Sequence, residues 1–596
     1  MVTELDHERM CDDPGQGVLP MTSATITGGM VVSRALSRYG IRTVFAVAGA
    51  SHTHLLDALD RDGFRIISSR HESGCVGAAD GYARITGRLG VALIIADQGT
   101  PNAINGIAGA FHACSPVLVL VARLPNSWTE AESESDNAKH PLVAPITKWA
   151  RTVPAAERLA EYVDAGAKRA LAGRPGPAVL QIPQEFLGQT LAGWGAAAQP
   201  APVLARPAAD PDAIARAAEL LAGAERPLLI AGAGAALGNA GAALREIVER
   251  FDLPIAGNGL GRGLVPEDWQ RSWSWPLMQT AAADADVVCV VGARLKQRLG
   301  YGLPPRFSPA AKFIQIDIEG EELSRNRRID VPMVADAGLA AGQLRDALAA
   351  RRSPRGRAFW VHERLQERMR YLDAVERTPR ARLHPLALGR TLARRLADDA
   401  IIVGDGADVQ NWMYGALRVR RGPGFLDHYP LGAMGMGTPL AVGAAAAARE
   451  LALAAGTAVP PVLLTTGDGS FGFYPAELHA AAQASLRLIC VVGNDGAWGT
   501  ELHGQIGTIR RAVNTELGFL RYELVGIGFG CHGEYVERPD ELETALDRAF
   551  ARNGPTVINA LIDREAGAEL KREPLARMIL FDDLASNLAA QHGFAG

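Results

Sequence analysis

Short apolar runs without polar alternation recur along the chain, separated by longer Ala- and Leu-rich stretches, and nothing else in the sequence constrains the fold as much. In the first third they are Thr43–Val47, Arg65–Ser68, Val91–Ala96, Val117–Ala122 and Ala178–Ile182. Such runs suit strands buried on both faces of a parallel sheet, and the segments between them are long enough for crossover helices. The block therefore reads as open α/β. An Ala- and Pro-rich linker follows at 193–211. A second block opens with PLLIAGAGA at 227–235, carries strands at Val287–Gly292 and Phe313–Asp317, and ends near 350 at the basic segment RRSPRGR. A charged helical stretch, 358–377, bridges to a third block with strands at Ile401–Val403, Val462–Thr466, Leu488–Val492 and Thr556–Ile562. The expectation is three open parallel-sheet α/β domains over 22–192, 208–350 and 380–565. KRALAGRPGPAVLQIP at 168–183 resembles DRAFARNGPTVINALI at 547–562, so the first and third domains are expected to be a duplicated pair.

Composition then removes whole classes of function. The 596 residues are 48% hydrophobic and 21% charged with a net charge of −4, which excludes whole-chain disorder. That balance gives no electrostatic case for nucleic acid or an anionic membrane surface. The most apolar helical stretch, 438–456, is interrupted by Arg449 and Glu450, and the N-terminal segment has no apolar core, so neither a membrane span nor a signal peptide is expected. Cys11, Cys75, Cys114, Cys289, Cys490 and Cys531 are far apart and show no C-x-x-C, which disfavours a disulfide scaffold or zinc site. A reducing, cytoplasmic setting is expected. The 65 glycines ask for many close approaches of backbone to backbone or to phosphate.

The richest segment is PVLLTTGDGSFGFYPAELHAAAQASLRLICVVGNDGAWG, 461–499. One strand runs into Gly467-Asp468-Gly469-Ser470, and after a helix the next strand ends at Gly493-Asn494-Asp495-Gly496. Adjacent parallel strands deliver both loops to one carboxyl edge, where open α/β sheets bind ligands. Glycines there let N–H groups approach phosphate oxygens, and a carboxylate beside them can hold Mg²⁺ or Ca²⁺. Gly-Asp-Gly alone is only a tight turn. In the first block RHESGCVGAADGYARITGR places Glu72 after a strand and before a helix rich in small residues, a position that the helix dipole alone would favour.

Gly-Asp-Gly, 24 residues, then Asn resembles the signature of thiamine diphosphate enzymes. The resemblance runs over roughly 22–565 and looks closest to the branch of acetolactate synthase, oxalyl-CoA decarboxylase and 2-hydroxyacyl-CoA lyase. It implies a pyrimidine-binding domain, a middle domain and a diphosphate-binding domain, in that order. By the same resemblance Asp468, Asp495 and the Ala497 carbonyl would hold Mg²⁺, although relatives carry Asn where Asp495 stands. Gly467, Gly469, Ser470 and Asn494 would contact the diphosphate side. Glu72 would be the catalytic carboxyl that holds a proton on ring N1′ of the cofactor. In HYPLGAMGMGTP, 428–439, Met434 matches the apolar wedge beneath the bent cofactor and the Gly432 carbonyl the acceptor for its amino group. Ala407 and Asp408 in VGDGADVQ match a further cofactor loop. Family members place each site between one subunit's first domain and its partner's third, so a homodimer or dimer of dimers is implied.

Substrate-side residues depart from the pattern. AVAGASHTHLLDALD occupies the place of a Pro-Gly-Gly loop and puts Ser51 and His52 there, while Gln98 falls in ADQGTPN where relatives have Gly-Pro-Gly. PITKW at 145–149 is synthase-like, but EAESESDNAKH before it lacks the Phe-Gln-Glu of true acetolactate synthases. Arg298 matches an arginine that meets the second substrate in those synthases, and Lys296 and Gln297 replace two acids before it. The GAGA at 232–235 is compatible with FAD, a CoA nucleotide, or an empty middle domain. The expected function is a thiamine diphosphate- and Mg²⁺-dependent carbon–carbon lyase or ligase acting on a 2-oxo acid, like acetolactate synthase. The alternatives are a 2-hydroxyacyl-CoA lyase or oxalyl-CoA-type decarboxylase, and a silent homologue serving as a regulatory subunit.

Overall fold

A computed structural model describes residues 26–131, 140–191, 200–351 and 356–578. The N-terminal segment with Cys11, most of EAESESDNAKH, the linker at 193–199 and the centre of RRSPRGR lie outside the described residues.

Among the described residues three parallel six-stranded sheets dominate, beside one two-stranded antiparallel pair, Ile26–Thr27 with Thr190–Leu191. The first holds β1 (Thr43–Ala46), β2 (Arg65–Ser68), β3 (Gly90–Ile94), β4 (Val117–Arg123), β5 (Trp149–Thr152) and β6 (Ala178–Pro183), in the order β2-β1-β3-β4-β6-β5. The middle sheet holds β7 (Pro227–Ala231), β8 (Ile255–Gly257), β9 (Ser272–Ser274), β10 (Val287–Val291), β11 (Lys312–Asp317) and β12 (Val331–Val334), in the order β9-β8-β7-β10-β11-β12. The third holds β13 (Ile401–Gly404), β14 (Phe425–Asp427), β15 (Val462–Gly467), β16 (Leu488–Asn494), β17 (His532–Val536) and β18 (Thr556–Leu561), in the order β14-β13-β15-β16-β18-β17. First and third sheets thus share one strand order, the topological counterpart of their related closing segments, and the middle sheet has another.

Two helices join the related domains. Helix α1 (Glu72–Thr86) follows β2; the His71 side chain caps it by accepting from the Ser73 N–H, and it ends on Gly87 at φ 66°. Helix α2 (Ala96–Ala113) follows β3. In the third domain α3 (Asp408–Ala416) follows β13, and α4 (Gly437–Ala455) follows β14. Next come α5 (Asp468–Phe471), α6 (Glu477–Gln483) and α7 (Gly499–Ile509). Helices α1 and α4 cross at backbone distance. A Cβ on Gly81 would lie 2.2 Å from the Leu440 carbonyl oxygen, and one on Gly443 only 1.8 Å from that of Ala78. The small residues of both helices are what allow this approach. Polar ties flank the crossing: Tyr82 donates to Glu450 at 2.8 Å, and Arg84, paired with Asp80, donates to the Asp427 carbonyl at 3.0 Å.

The described cysteines are all free; Cys75, Cys289, Cys490 and Cys531 are buried, and Cys114 is half-buried. Among the described residues no helix is long and apolar enough to cross a membrane.

Candidate active site

Four neighbouring strands of the third sheet end in loops on one edge. Gly467 closes β15, and Asp468 opens α5 with its side chain 3% exposed. Its Oδ1 accepts the Gly469 N–H at 3.0 Å; its Oδ2 has no hydrogen-bond partner. The adjacent β16 ends at Asn494, followed by buried Asp495, whose Oδ1 accepts the Ala497 N–H at 3.1 Å. The bridge between Ala497 and Glu516 uses the Trp498 N–H and the Gly496 carbonyl. The Ala497 N–H is thereby left for Asp495. Burial and the neighbouring Asp495 raise the carboxyl of Asp468, and burial with Asp408 nearby raises that of Asp495. Two buried, mutually repelling carboxyls with an oxygen lacking any donor form a hard-oxygen set that a divalent cation would neutralise. Among the described residues no three His, Cys, Asp or Glu side chains converge on a metal position. The residues present fit a divalent cation.

Asn494 acts inside the loop. Its Nδ2 donates to the Leu520 carbonyl at 3.0 Å and to Asn559 Oδ1 at 3.1 Å, and its Oδ1 accepts the Gly496 N–H at 3.1 Å. Gly469 is a glycine because the Trp498 ring lies on it: a Cβ would sit 2.5 Å from Trp498 Cζ3. Ser470 Oγ lies 3.3 Å from Met434 Sδ, so the Gly-Asp-Gly turn and Met434 are in contact. Gly432 and Gly435 have φ of 81° and 84°, values that bulkier residues avoid. A Cβ on Gly435 would also lie 2.2 Å from Phe473 Cβ. Ala407 precedes α3, and Asp408 opens it. Asp408 Oδ1 accepts from Thr500 Oγ1 at 2.6 Å, while its Oδ2 is buried without a partner. Burial raises this carboxyl too.

The first sheet offers a matching edge. β2, β1 and β3 lie side by side and end in Glu72, in the turn of Ser51 and His52, and in the first turn of α2 with Gln98. Glu72 is 5% exposed, and its Oε2 accepts from Asn102 Nδ2 at 3.1 Å. His52 is wholly buried, neither ring nitrogen has a hydrogen-bond partner, and burial pushes it down to about 4. At neutral pH it is an uncharged ring. Gln98 is exposed. Arg298 comes from the middle domain, after β10, and meets the third-sheet edge at the end of β14. It pairs with Asp427 at 2.8 Å, donates to the Tyr414 hydroxyl at 2.6 Å and lies 4.1 Å from the centre of the Tyr429 ring.

Two residues that the sequence reading passed over shape this edge. Asp405, fully buried at the end of β13, accepts N–H groups from Gly406 at 2.7 Å, Gly435 at 3.2 Å and Gly437 at 2.9 Å. His428 Nδ1 lies 3.4 Å from it. A signal was present: Gly404-Asp405-Gly406 repeats Gly467-Asp468-Gly469 on the neighbouring strand.

A cavity of about 770 Å³ lies where the three domains meet, with Arg174, Arg206, Arg294, Lys296, Arg298 and Arg325 among its walls. Asp317 and Asp336 also reach it. Burial raises Asp317 to about 6; burial, then the neighbouring Arg294, lower Lys296.

Comparison with known proteins agrees with this layout. Residues 26–141, 214–344 and 405–560 match the N-terminal TPP binding domain, central domain and C-terminal TPP binding domain of thiamine pyrophosphate enzymes. The acetolactate synthase large subunit IlvG of Mycobacterium tuberculosis is 31% identical over 549 residues, 90% of this chain and 96% of its own. The chain belongs to the thiamine pyrophosphate enzyme family. A second relative, 2-hydroxyacyl-CoA lyase 1 of Mus musculus, is 28% identical over 564 residues, covering 91% of this chain and 95% of its own. An X-ray structure from Mycobacterium smegmatis, described as thiamin diphosphate-dependent, superposes with a TM-score of 0.75 at 24% identity, covering 90% of this chain and 99% of that one. This thiamine pyrophosphate enzyme is thus related both to acetolactate synthases and to 2-hydroxyacyl-CoA lyases. The two names differ in whether CoA is involved.

Proposed function

We propose that the chain is a thiamine diphosphate- and Mg²⁺-dependent carbon–carbon lyase or ligase acting on a 2-oxo acid. The observation that carries this reading is the buried pair Asp468 and Asp495 at adjacent strand ends, with the Asp468 Oδ2 left without a hydrogen-bond partner; with the Ala497 carbonyl they would supply the cation's ligands. Thiamine diphosphate, when bound, supplies the carbon nucleophile and the electron sink for breaking or making the bond beside a carbonyl. Asp468 and Asp495 would hold the cation that neutralises its diphosphate. Met434 and the Gly432 carbonyl would impose its bend, and Glu72 would hold the proton on N1′. Residues around Ser51, His52 and Gln98 would meet the substrate. A homodimer or dimer of dimers, with first and third domains of different subunits facing each other, would complete each site. Thermal stabilisation by thiamine diphosphate with Mg²⁺, lost in Asp468→Ala, is the expected result; no stabilisation at saturating cofactor removes the proposal.

The cavity between the domains favours a second reading, a 2-hydroxyacyl-CoA lyase or CoA-thioester decarboxylase. Its size is that of a cofactor site, and its cations suit the phosphates of a CoA nucleotide. A screen of 2-oxo acids against 2-hydroxyacyl thioesters, reading CO₂ and aldehyde release, separates the two.

A further inference from the structure

Glu477 opens α6, nine residues after Asp468, and is 1% exposed. It does not face its own domain. Its Oε1 accepts the backbone N–H groups of Arg70 at 3.0 Å and His71 at 2.9 Å, the two residues directly before Glu72. The same stretch of the third domain holds that turn at further points. The Tyr474 ring lies edge-on to His71 at 5.5 Å between centres, and its hydroxyl accepts from Asn105 at 3.2 Å. Arg70 Nε reaches His479 Nδ1 at 3.0 Å, and its Nη2 reaches Gln483 at 3.1 Å. Gly74 leaves room for the intruding carboxyl, since a Cβ there would lie 2.3 Å from Glu477 Oε1. The backbone turn that aims Glu72 is therefore fixed from the other domain.

We propose that Glu477 is a positioning residue for cofactor activation: by gripping the Arg70 and His71 N–H groups it sets the direction in which Glu72 enters the cleft. The inference rests on the reading of Glu72 given above. Its force comes from geometry, because a carboxyl acting on a ring nitrogen tolerates little displacement, about 1 Å being enough to cost a hundredfold in rate. Two buried N–H groups would also lose their acceptor if Glu477 were shortened. Burial pushes the Glu477 carboxyl up to about 7, so its protonated form is populated near neutrality, and an amide imitates that form.

The test is the rate of C2–H exchange into D₂O of thiamine diphosphate bound with Mg²⁺, read by NMR beside cofactor affinity, in Glu477→Asp, Glu477→Gln and Glu72→Gln. Glu477→Asp keeps the charge but falls one methylene short. It is expected to slow exchange at least about tenfold while cofactor affinity stays within about threefold. Glu477→Gln, which keeps the acceptor, is expected to restore most of the rate. Wild-type exchange in Glu477→Asp, or exchange and cofactor affinity falling together, overturns the proposal. If Glu72→Gln itself leaves exchange unchanged, the role given to Glu72 fails first.

Discussion

The Asp405 carboxylate accepts the Gly437 N–H at 2.9 Å while also holding the N–H groups of Gly435 and Gly406. One side chain thus ties the loop after β13 to the segment carrying Met434. Burial raises this carboxyl, with His428 opposing, so its hydrogen bonds and not its charge justify its place. Asp405→Ala leaves three buried donors without their acceptor, each worth about 1–3 kcal/mol. The expected outcome is a clear fall in melting temperature together with weaker thiamine diphosphate binding. Calorimetry of cofactor binding showing wild-type affinity would separate Asp405 from the wedge.

The crossing of α1 and α4 gives a sharper structural test. Gly443→Ala sets a methyl group against the Ala78 carbonyl oxygen and should cost at least about 3 kcal/mol or abolish soluble expression. Gly109, within α2, has open space where a Cβ would go, with nothing within 4 Å, so Gly109→Ala should be neutral or stabilise by up to about 1 kcal/mol. Thermal melts of the two variants should move in opposite directions or differ by many degrees.

Glu477 gives stability a pH dependence with a definite sign. Its value in the fold, about 7, lies above the ordinary 4.5. The folded chain therefore binds the proton more tightly, and the stability this confers is complete below about pH 4.5 and lost as pH rises through 7. Each pH unit in that window is worth up to about 1.4 kcal/mol. The groups facing it are Arg70, His71 and Cys75 of the first domain and His479 of its own helix. Melts of wild type and Glu477→Gln at pH 5 to 8.5 should show wild type losing ground as pH rises. Parallel curves would contradict the assignment.

His52 should behave in the opposite sense. Burial holds it near 4, below the ordinary 6.5, so the fold must exclude its proton. Its contribution is present above pH 6.5 and lost as pH falls toward 4. Acid melts of wild type against His52→Gln should show the wild type as the more acid-sensitive protein.

Asp495 stands where the family resemblance calls for asparagine. Asp495→Asn removes one of two repelling buried carboxylates, and should leave Mg²⁺-supported cofactor binding in place while moving its midpoint to higher Mg²⁺, because one anionic donor is lost. Asp468→Ala should abolish Mg²⁺-supported stabilisation. Titrating Mg²⁺ at fixed thiamine diphosphate, read by thermal shift, checks both.

Much of this architecture could be read from residues alone, for an identifiable reason. Interior parallel strands such as Val462–Gly467 and Leu488–Asn494 are buried on both faces and show as unbroken apolar runs. The strands that went unread are short or lie at sheet edges: Trp149–Thr152, Ser272–Ser274, Val331–Val334, Phe425–Asp427 and His532–Val536 are edge strands, and Ile255–Gly257 has three residues. Their faces are partly polar, and their pairing is decided by neighbours distant in sequence. The site divides in the same way. Asp468 and Asp495 sit beside glycines at strand ends and announce themselves. Glu477 and Asp405 act by accepting backbone N–H groups, and no periodicity reports where a side chain finds a peptide group many residues away. Arg298 shows the converse: its position was legible, but its engagement with Asp427 and Tyr414 was not.

At the α1–α4 crossing there is no room for even a methyl group at Gly81 or Gly443. The two related domains are consequently a locked pair, whose mutual placement cannot be adjusted by small substitutions at their contact. Retuning this chain's chemistry by small substitutions therefore falls to the strand-end turns and the middle domain, which lie outside that contact.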